Sequence, residues 1–237
     1  MKSINSVRIK PKLTEKAKKI YEAACCLEDM EGKFGQGLSK DENSVRHYIL
    51  SQSPILGSIP SVEEINKEFT QLKQEEIHEI LKTLDKIDVI HLDEDIKTKI
   101  IAAYPFSGKK TAHLIKFRTN EYKDIYSMCA IDALGISFML NCDISIDSKC
   151  FHCNDEVKIR IEDNEIIYLN HENPMVWFDM EYSCCAATSL CKNINFFSSP
   201  HHFKEWQQDK PTRKGSLLQI QEAFYLGKLF FEKRLNL

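Results

Sequence analysis

The longest apolar segment of the chain, residues 126–142, is too short to cross a membrane and carries Asp132 within it. The overlapping stretch IYSMCAIDALGISFML predicts a helix buried in the core of a globular domain. Cys129 and Asp132 stand three positions apart, so on a helix both side chains lie on one face. The segment therefore predicts a core helix that also carries two chemically reactive groups.

The composition is that of a packed globular protein, with 43% hydrophobic and 28% charged residues among 237. The net charge of −3 argues against general nucleic-acid binding. The first residues include cations but no apolar stretch, so we expect no secretory signal, no membrane partner and a cytoplasmic location. In a reducing compartment the nine cysteines are expected to be thiols, metal ligands or nucleophiles rather than a disulfide framework.

Three units are predicted along the chain. Residues 1–37 form a helical appendage, residues 38–100 a winged-helix-like subdomain, and residues 101–237 an α+β catalytic domain. In the second unit, Ser61 and Glu64 have the spacing of a capping box at a helix start. The predicted fold class is α+β, with a winged-helix-like N-terminal helical unit followed by a mixed β-sheet core flanked by helices.

Periodicity places the main elements of the last two units. In QEEIHEILKTLDKI the apolar residues recur on one helical face, and DVIHLDED predicts a strand. The segments TAHLIKF, EVKIRIED and EIIYLN alternate as strands do. The segments PHHFKEWQQ and LLQIQEAFYLGKLFFEKRL predict amphipathic helices.

The pair Cys129 and Asp132 allows two interpretations. Near a helix start, the helix dipole lowers a thiol pKa, whereas burial raises the pKa of an acid, so the two could form a reactive pair. Alternatively, Cys129 is a core residue and Asp132 caps a neighbouring backbone group. Cys191, which begins an alternating run, is by itself an ordinary buried cysteine.

The segment Cys150-Phe151-His152-Cys153 is half of a zinc site. Cys142 and His152 are candidates for the missing ligands, whereas the adjacent pair Cys184-Cys185 is awkward for one tetrahedral ion. A structural zinc site is therefore an alternative that the sequence leaves open. The histidines at 113, 201 and 202 are expected at the surface or the core edge rather than in catalysis.

Several segments, taken in order, resemble the organomercurial (alkylmercury) lyases. The resemblance runs from about Ser61 to the C-terminus, and the spacing of Cys129 and Cys191 is similar to the family's. The matching segments are SVEEINKEF, EEIHEILKTLDKIDVI, AAYPFSGKKTAHLI, YSMCAIDAL, SKCFHC, SLCKNINFFSSPHHFKEW and LQIQEAFYLGKLF. Their order and spacing together make the resemblance specific.

The resemblance implies a reaction that cleaves R–Hg⁺ to RH and Hg²⁺. It makes Cys129 and Cys191 the mercury-binding thiolates and Asp132 the proton carrier. An organomercurial is the substrate, Hg²⁺ the bound product, and no resident cofactor is required. Low-molecular-weight thiols and a mercuric reductase that accepts Hg²⁺ are the implied partners. An apolar pocket suits the organic group. Its lining could include Trp177, Phe196 and Phe197, although all three are more often plain core residues.

The chain departs from the family pattern in its polar and sulfur residues. Asn193 and Asn195 stand where the family usually has histidines after the second cysteine. Additional thiols are secondary candidates for binding metal, namely Cys150, Cys153, Cys184 and Cys185, and the pair Cys25-Cys26 has no assigned role. The cysteine excess suits an alternative function, a soft-metal chaperone or sensor on the same scaffold without lyase activity. Asp132 distinguishes the two, because a protein that only binds metal through thiols needs no buried acid.

Overall fold

The computed structural model describes residues 6–27, 29–96, 99–180 and 190–235. The helices are Glu15–Leu27 (α1), Met30–Lys33 (α2), Lys40–Leu56 (α3), Val62–Glu68 (α4), Gln74–Lys86 (α5), Ala130–Leu140 (α6), Pro200–Gln208 (α7) and Ile220–Phe231 (α8). The first strands are Ser6–Ile9 (β1), Ile90–Leu92 (β2), Ile100–Ala103 (β3), Phe106–Ser107 (β4), Leu114–Phe117 (β5) and Ile125–Tyr126 (β6). The others are Ile144–Lys149 (β7), Glu156–Glu162 (β8), Glu165–Leu169 (β9), Met175–Asp179 (β10), Asn195–Phe197 (β11) and Gly215–Gln219 (β12). This architecture confirms the predicted α+β class.

Helices α3, α4 and α5 and the small sheet β2-β3-β4 form the helical unit near the N-terminus. Capping boxes at Ser39 and Ser61 fix the starts of α3 and α4, because each hydroxyl accepts a bond from a backbone N–H that would otherwise lack a helical partner. The apolar face of α5 is buried, as its periodicity predicts. None of the described helices is both long enough and apolar enough to cross a bilayer.

The largest sheet has six strands in the order β1-β9-β8-β7-β5-β6. Every pairing between its described strands is antiparallel, where the sequence predicts a mixed sheet. The reason is that β7, β8 and β9 follow one another through short connections, which join antiparallel neighbours. A second sheet, β11-β10-β12, is also antiparallel and carries the segment after Cys191.

The first residues contact the core directly. Strand β1 pairs with β9 at the edge of the large sheet, and the Tyr21 and Phe230 rings lie 5.3 Å apart between their centroids. The Thr14 hydroxyl donates a 2.8 Å hydrogen bond to the Glu222 carboxylate on α8. These contacts attach α1 to α8, while the division of the chain into three units stays a prediction.

Helices α6 and α8 pack closely because two glycines face each other. A methyl group added at Gly135 would lie 2.2 Å from the Phe231 ring and 2.9 Å from the Gly227 carbonyl oxygen. One added at Gly227 would lie 2.8 Å from the Gly135 nitrogen. Only a residue without a side chain allows this approach, which fixes the position of α6 in the core.

The C-terminal segment differs from its prediction in one respect. The stretch beginning at Leu217 reads as one long helix, but Gly215–Gln219 is strand β12 and the helix begins at Ile220. The short alternating piece pairs with β10, so sheet pairing overrides local helical preference there. The predicted helix PHHFKEWQQ is confirmed as α7, with Ser199 as its N-cap and Pro200 in its first turn.

Candidate active site

Cys129 lies at the N-cap of α6 and is 1% exposed. Its backbone is extended, and its sulfur accepts a hydrogen bond from the Asp132 N–H at 3.4 Å. A cysteine thus takes the position that serine, threonine, aspartate or asparagine usually occupies. The capping bond holds the sulfur over the first turn of the helix, where the Asp132 side chain also emerges.

Cys191 reaches the same place from a distant part of the chain. It begins a short 3-10 turn, Cys191–Asn193, immediately before β11. The Ala130 N–H in the first turn of α6 donates a 3.1 Å hydrogen bond to the Ile194 carbonyl. This backbone bond joins the two segments and explains why Cys129 and Cys191 meet although they are far apart in sequence.

The side chains of Cys129, Asp132 and Cys191 converge. Their two sulfurs and one carboxylate oxygen all lie within 4.8 Å of one another, and each residue is at most 5% exposed. The Cys191 thiol donates to the Asp132 carboxylate Oδ2 at 3.6 Å. The structure therefore brings together the three residues that the sequence singles out, which we call the buried trio.

Burial raises the pKa of the Cys129 thiol, and the nearby Asp132 carboxylate acts in the same direction. Hydrogen bonds from the Cys191 thiol and the Asp132 N–H oppose this rise without cancelling it. The sequence-based prediction of a lowered thiol pKa at the helix start is therefore wrong. The effect of burial, which removes the sulfur from water, outweighs the effect of the helix start on the pKa of Cys129.

The buried trio faces a cavity of about 40 Å³ that is partly open to solvent. Besides the trio, the described lining residues are Lys33, Tyr104, Ile131, Phe178, Leu190, Ile194, Phe230, Phe231 and Arg234. Most of the wall is apolar. Trp177, Phe196 and Phe197 are core residues, as the alternative interpretation has it, and they are not among the described residues that line this cavity.

Two cations in the lining have no counterpart in the sequence-based predictions. Lys33 is 1% exposed, and its Nζ lies 3.2 Å from the Asp88 carboxylate. The Arg234 guanidinium lies 5.1 Å from the centroid of the Phe231 ring. No pattern in the sequence points to either residue, because they come from the short helix α2 and from the turn after α8.

A second cluster of metal-ligating side chains lies apart from this cavity. It contains Cys150 and Cys153 from the turn between β7 and β8, and His202 from the first turn of α7. We call it the knuckle cluster. The third side chain that converges on this half-site is His202, and neither Cys142 nor His152 belongs to the described cluster. His152 instead lies 3.3 Å from the Glu205 carboxylate.

The sulfurs of the knuckle cluster differ in environment from those of the trio. Burial acts to raise the pKa of Cys150, but hydrogen bonds from the Ser198 side chain and from the backbone near Cys153, Ser198 and His152 outweigh it and lower that pKa to about 6. Cys142 lies elsewhere, and burial together with Asp143 and Glu121 raises its pKa to about 12.

The remaining predicted thiols fall into two groups. Cys184 and Cys185 lie outside the described residues. Cys25 and Cys26 are exposed on α1, away from the lining of the cavity. None of the seven described cysteines forms a disulfide, in keeping with the expectation of thiols.

The sequence context of His113 predicts a position at the surface or the core edge. The residue is instead buried, and 3% of it is exposed. Its Nδ1 lies 2.8 Å from the Ser148 hydroxyl, and its ring packs edge-on against Phe196. Burial lowers its pKa to about 4, against a smaller opposing effect of a hydrogen bond with Asn195. His113 therefore connects β7 to β11 as a neutral side chain.

Fold and site together define an α+β protein with a buried centre of two thiols and one carboxylate in a largely apolar cavity. The family model described as MerB, alkylmercury lyase, matches residues 106–232, which is more than half of the chain and contains the whole trio. The chain belongs to the alkylmercury lyase family of enzymes.

Curated relatives agree with this assignment. An alkylmercury lyase of Bacillus cereus is 24% identical over 157 residues, covering 65% of this chain and 67% of that protein. One of Staphylococcus epidermidis is 26% identical over 168 residues, covering 70% of this chain and 72% of that protein.

A solved structure supports the fold. The crystal structure of the mercury-bound form of MerB2 is similar to this chain with a TM-score of 0.72 and 20% identity. The match covers 94% of this chain and 100% of that one. At this identity the likeness concerns the fold, which includes the N-terminal helical unit as well as the sheet core.

Proposed function

We propose that this protein cleaves the carbon–mercury bond of organomercurials by protonolysis. The observation that carries the proposal is the convergence of two sulfurs and one carboxylate oxygen within 4.8 Å, in a buried and largely apolar cavity. Family membership supplies the class of activity. The assignment of roles to Cys129, Asp132 and Cys191 rests on their geometry and chemistry.

Two thiols at this separation suit mercury. Mercury is a soft metal and prefers sulfur ligands. In the first step, one thiol displaces the thiolate that accompanies the substrate R–Hg–SR′, and its proton leaves on R′SH. The organomercury group is then bound to the protein through one sulfur.

The carboxylate provides the proton that the carbon needs. Because the Cys191 thiol already donates to Asp132 at 3.6 Å, Cys191 is the thiol that passes its proton to this carboxylate as its sulfur bonds to mercury. Asp132 then gives the proton to the carbon, which keeps the electron pair of the broken carbon–mercury bond and leaves as RH. Mercury remains on two thiolates, and Asp132 is again a carboxylate.

Burial of the trio contributes in two ways. It raises the pKa of Cys129, which favours the thiol over the thiolate before mercury binds. The apolar walls suit an alkyl or aryl group and exclude water from the reacting atoms. Two external thiols then displace Hg²⁺ and restore both cysteines. A mercuric reductase as the later acceptor stays a prediction.

The test is the release of benzene from phenylmercury in the presence of excess small-molecule thiol, detected in the headspace. Wild-type protein is expected to release benzene, and Cys191→Ser and Asp132→Ala are expected to release none above the rate without protein. Cys142→Ser is the matched control, because it removes a part-buried thiol outside the cavity. Benzene release by Asp132→Ala at the wild-type rate would exclude the assigned proton carrier.

The same experiment separates the alternative function. Tight binding of mercury by wild-type protein without benzene release would show that the protein uses this scaffold to bind soft metals and has no lyase activity. Benzene release that depends on Cys191 would exclude that alternative.

A further inference from the structure

Outside the cavity, the described residues hold a second set of converging metal ligands, the knuckle cluster. The Sγ atoms of Cys150 and Cys153 and the Nδ1 of His202 all lie within 4.8 Å of one another. His202 Nδ1 is 3.7 Å from Cys150 Sγ and 3.3 Å from Cys153 Sγ. Unlike the trio, this cluster contains no carboxylate and lies toward the surface, with Cys153 exposed.

These separations fit a tetrahedral metal ion. With Zn–S bonds of about 2.3 Å and Zn–N bonds near 2.0 Å, a tetrahedral ion holds its sulfur and nitrogen ligands at about 3.5 Å from each other. The two measured separations lie on either side of that value. Two thiolates and one imidazole are a donor set that zinc prefers.

The surroundings are also those of a metal knuckle. The turn is closed by hydrogen bonds of 2.8 Å from the Cys150 N–H to the Asp155 carbonyl and 2.9 Å from the Asn154 N–H to the Cys150 carbonyl. The ligands are therefore placed by the backbone before any ion arrives.

His202 is oriented by its neighbours. Its backbone N–H donates to the capping Ser199 hydroxyl, and its ring Nδ1 lies 2.6 Å from the Ser198 hydroxyl. That hydroxyl also lies within hydrogen-bonding reach of Cys150 Sγ, so it can donate to the thiolate when a metal occupies Nδ1.

We infer that Cys150, Cys153 and His202 bind a zinc ion, with water at the fourth position. The ion joins the turn between β7 and β8 to the start of α7. It also braces β11, because the Phe151 N–H next to Cys150 donates to the Phe196 carbonyl at 2.8 Å. Strand β11 follows the turn that carries Cys191, so the zinc site supports one side of the active site. This inference does not depend on the proposed lyase activity.

The test is metal analysis of untagged protein that was expressed in medium containing zinc. The metal is then removed, and the protein is titrated with Zn²⁺ or Co²⁺. About one zinc per chain is expected, and bound cobalt should show sulfur-to-cobalt charge-transfer absorption and the visible bands of a tetrahedral ion. Cys153→Ser, at an exposed position, should fold and bind zinc more than about tenfold more weakly. His202→Gln should do the same, while Cys26→Ser, another exposed cysteine, should bind as wild type does.

Cys191→Ser distinguishes the two clusters. Retained zinc in this variant supports the inference, whereas loss of zinc in Cys191→Ser with retention in Cys153→Ser would place the ion in the cavity and overturn it. A purified protein without zinc that shows no sulfur-to-cobalt absorption would also overturn it. So would a disulfide between Cys150 and Cys153 in freshly purified protein.

Discussion

The buried trio and the knuckle cluster use the same soft ligands in opposite settings. Each has two cysteine sulfurs and one further ligand within 4.8 Å. The trio is buried throughout and its third ligand is the carboxylate of Asp132, whereas the knuckle cluster is partly exposed and its third ligand is the imidazole of His202. A carboxylate beside a thiol can move a proton, and an imidazole beside two thiolates completes a metal site. The two clusters therefore differ in their third ligand and in their burial, and this difference is the basis of the two functions proposed for them.

The pKa shifts of two buried sulfurs, one in each cluster, also have opposite directions. Burial raises the pKa of Cys129, whereas hydrogen bonds lower that of Cys150 to about 6. Burial also raises the pKa of Cys153, so Cys150 is the described sulfur of the knuckle cluster whose pKa is lowered.

Replacing Asp132 by asparagine should leave the two thiols of the trio able to bind mercury but without a group that carries the proton. We expect benzene release to fall by at least about a hundredfold, because a positioned acid–base group typically contributes that much or more. Binding of Hg²⁺ should remain, since both sulfurs are still present. Steady-state benzene release and a mercury titration of the same preparation measure the two effects.

The matched control is Asp143→Asn, which changes a carboxylate just beyond the other end of α6, outside the cavity lining. If Asp132→Asn loses mercury binding and turnover together, the carboxylate is a ligand or a structural support rather than a proton carrier.

A chelator should act on the knuckle cluster through stability. A ligand present at a hundred times its Kd stabilises the native state by about 3 kcal/mol, so removing zinc should lower Tm by several degrees. The Tm of Cys153→Ser should not respond to the chelator. Thermal unfolding with and without the chelator measures both, and an equal fall of Tm in wild type and variant would contradict the comparison.

Acid should weaken the strand connection between the two clusters. His113 links Ser148, two residues before Cys150, to Asn195, four residues after Cys191. Because its pKa falls from an ordinary 6.5 to about 4 on folding, the unfolded chain binds the proton more readily, and stability is lost as pH falls from 6.5 towards 4. Between pH 7.5 and 5 this costs about 2 kcal/mol.

Denaturant unfolding of wild type and His113→Gln at both pH values isolates this contribution. The wild type should lose more free energy of unfolding than the variant, whose side chain does not titrate. Equal losses would mean that folding leaves the pKa of His113 unchanged.

The smallest effect is expected from Gly135→Ala on α6. Overpacking against Phe231 and the Gly227 carbonyl costs on the order of 1–3 kcal/mol, and the higher helix propensity of alanine returns about 1 kcal/mol. A net loss of about 1 kcal/mol in denaturant unfolding is therefore expected. Benzene release should fall with it, because α6 carries Cys129 and Asp132, while the zinc content should stay unchanged.

Ser137→Ala is the matched control on the same helix, since it adds no atoms. A Gly135→Ala protein as stable and as active as wild type would show that α6 and α8 can separate at little cost.

The elements that the sequence predicts best are those with strong local signals. The capping box at Ser61 and the apolar face of α5 are confirmed because each depends on residues within a turn of one another. Strand β12 was hidden within a helical pattern, because its partner β10 lies far away in sequence. The pKa of Cys129 was predicted in the wrong direction, since a sequence reveals the helix start but not how completely the sulfur is removed from water.

The sequence by itself determined the family, the fold class and the identity of the three trio residues, because these follow from motifs and their order along the chain. Tertiary structure alone decided what surrounds them. The 3.1 Å bond between Ala130 and Ile194 joins the two halves of the candidate active site, and Lys33 and Arg234 enter the cavity wall from remote segments. His202 completes the knuckle cluster for the same reason. Ligand sets and cavity walls depend on contacts between residues that are distant in the chain. The local sequence pattern does not predict such contacts.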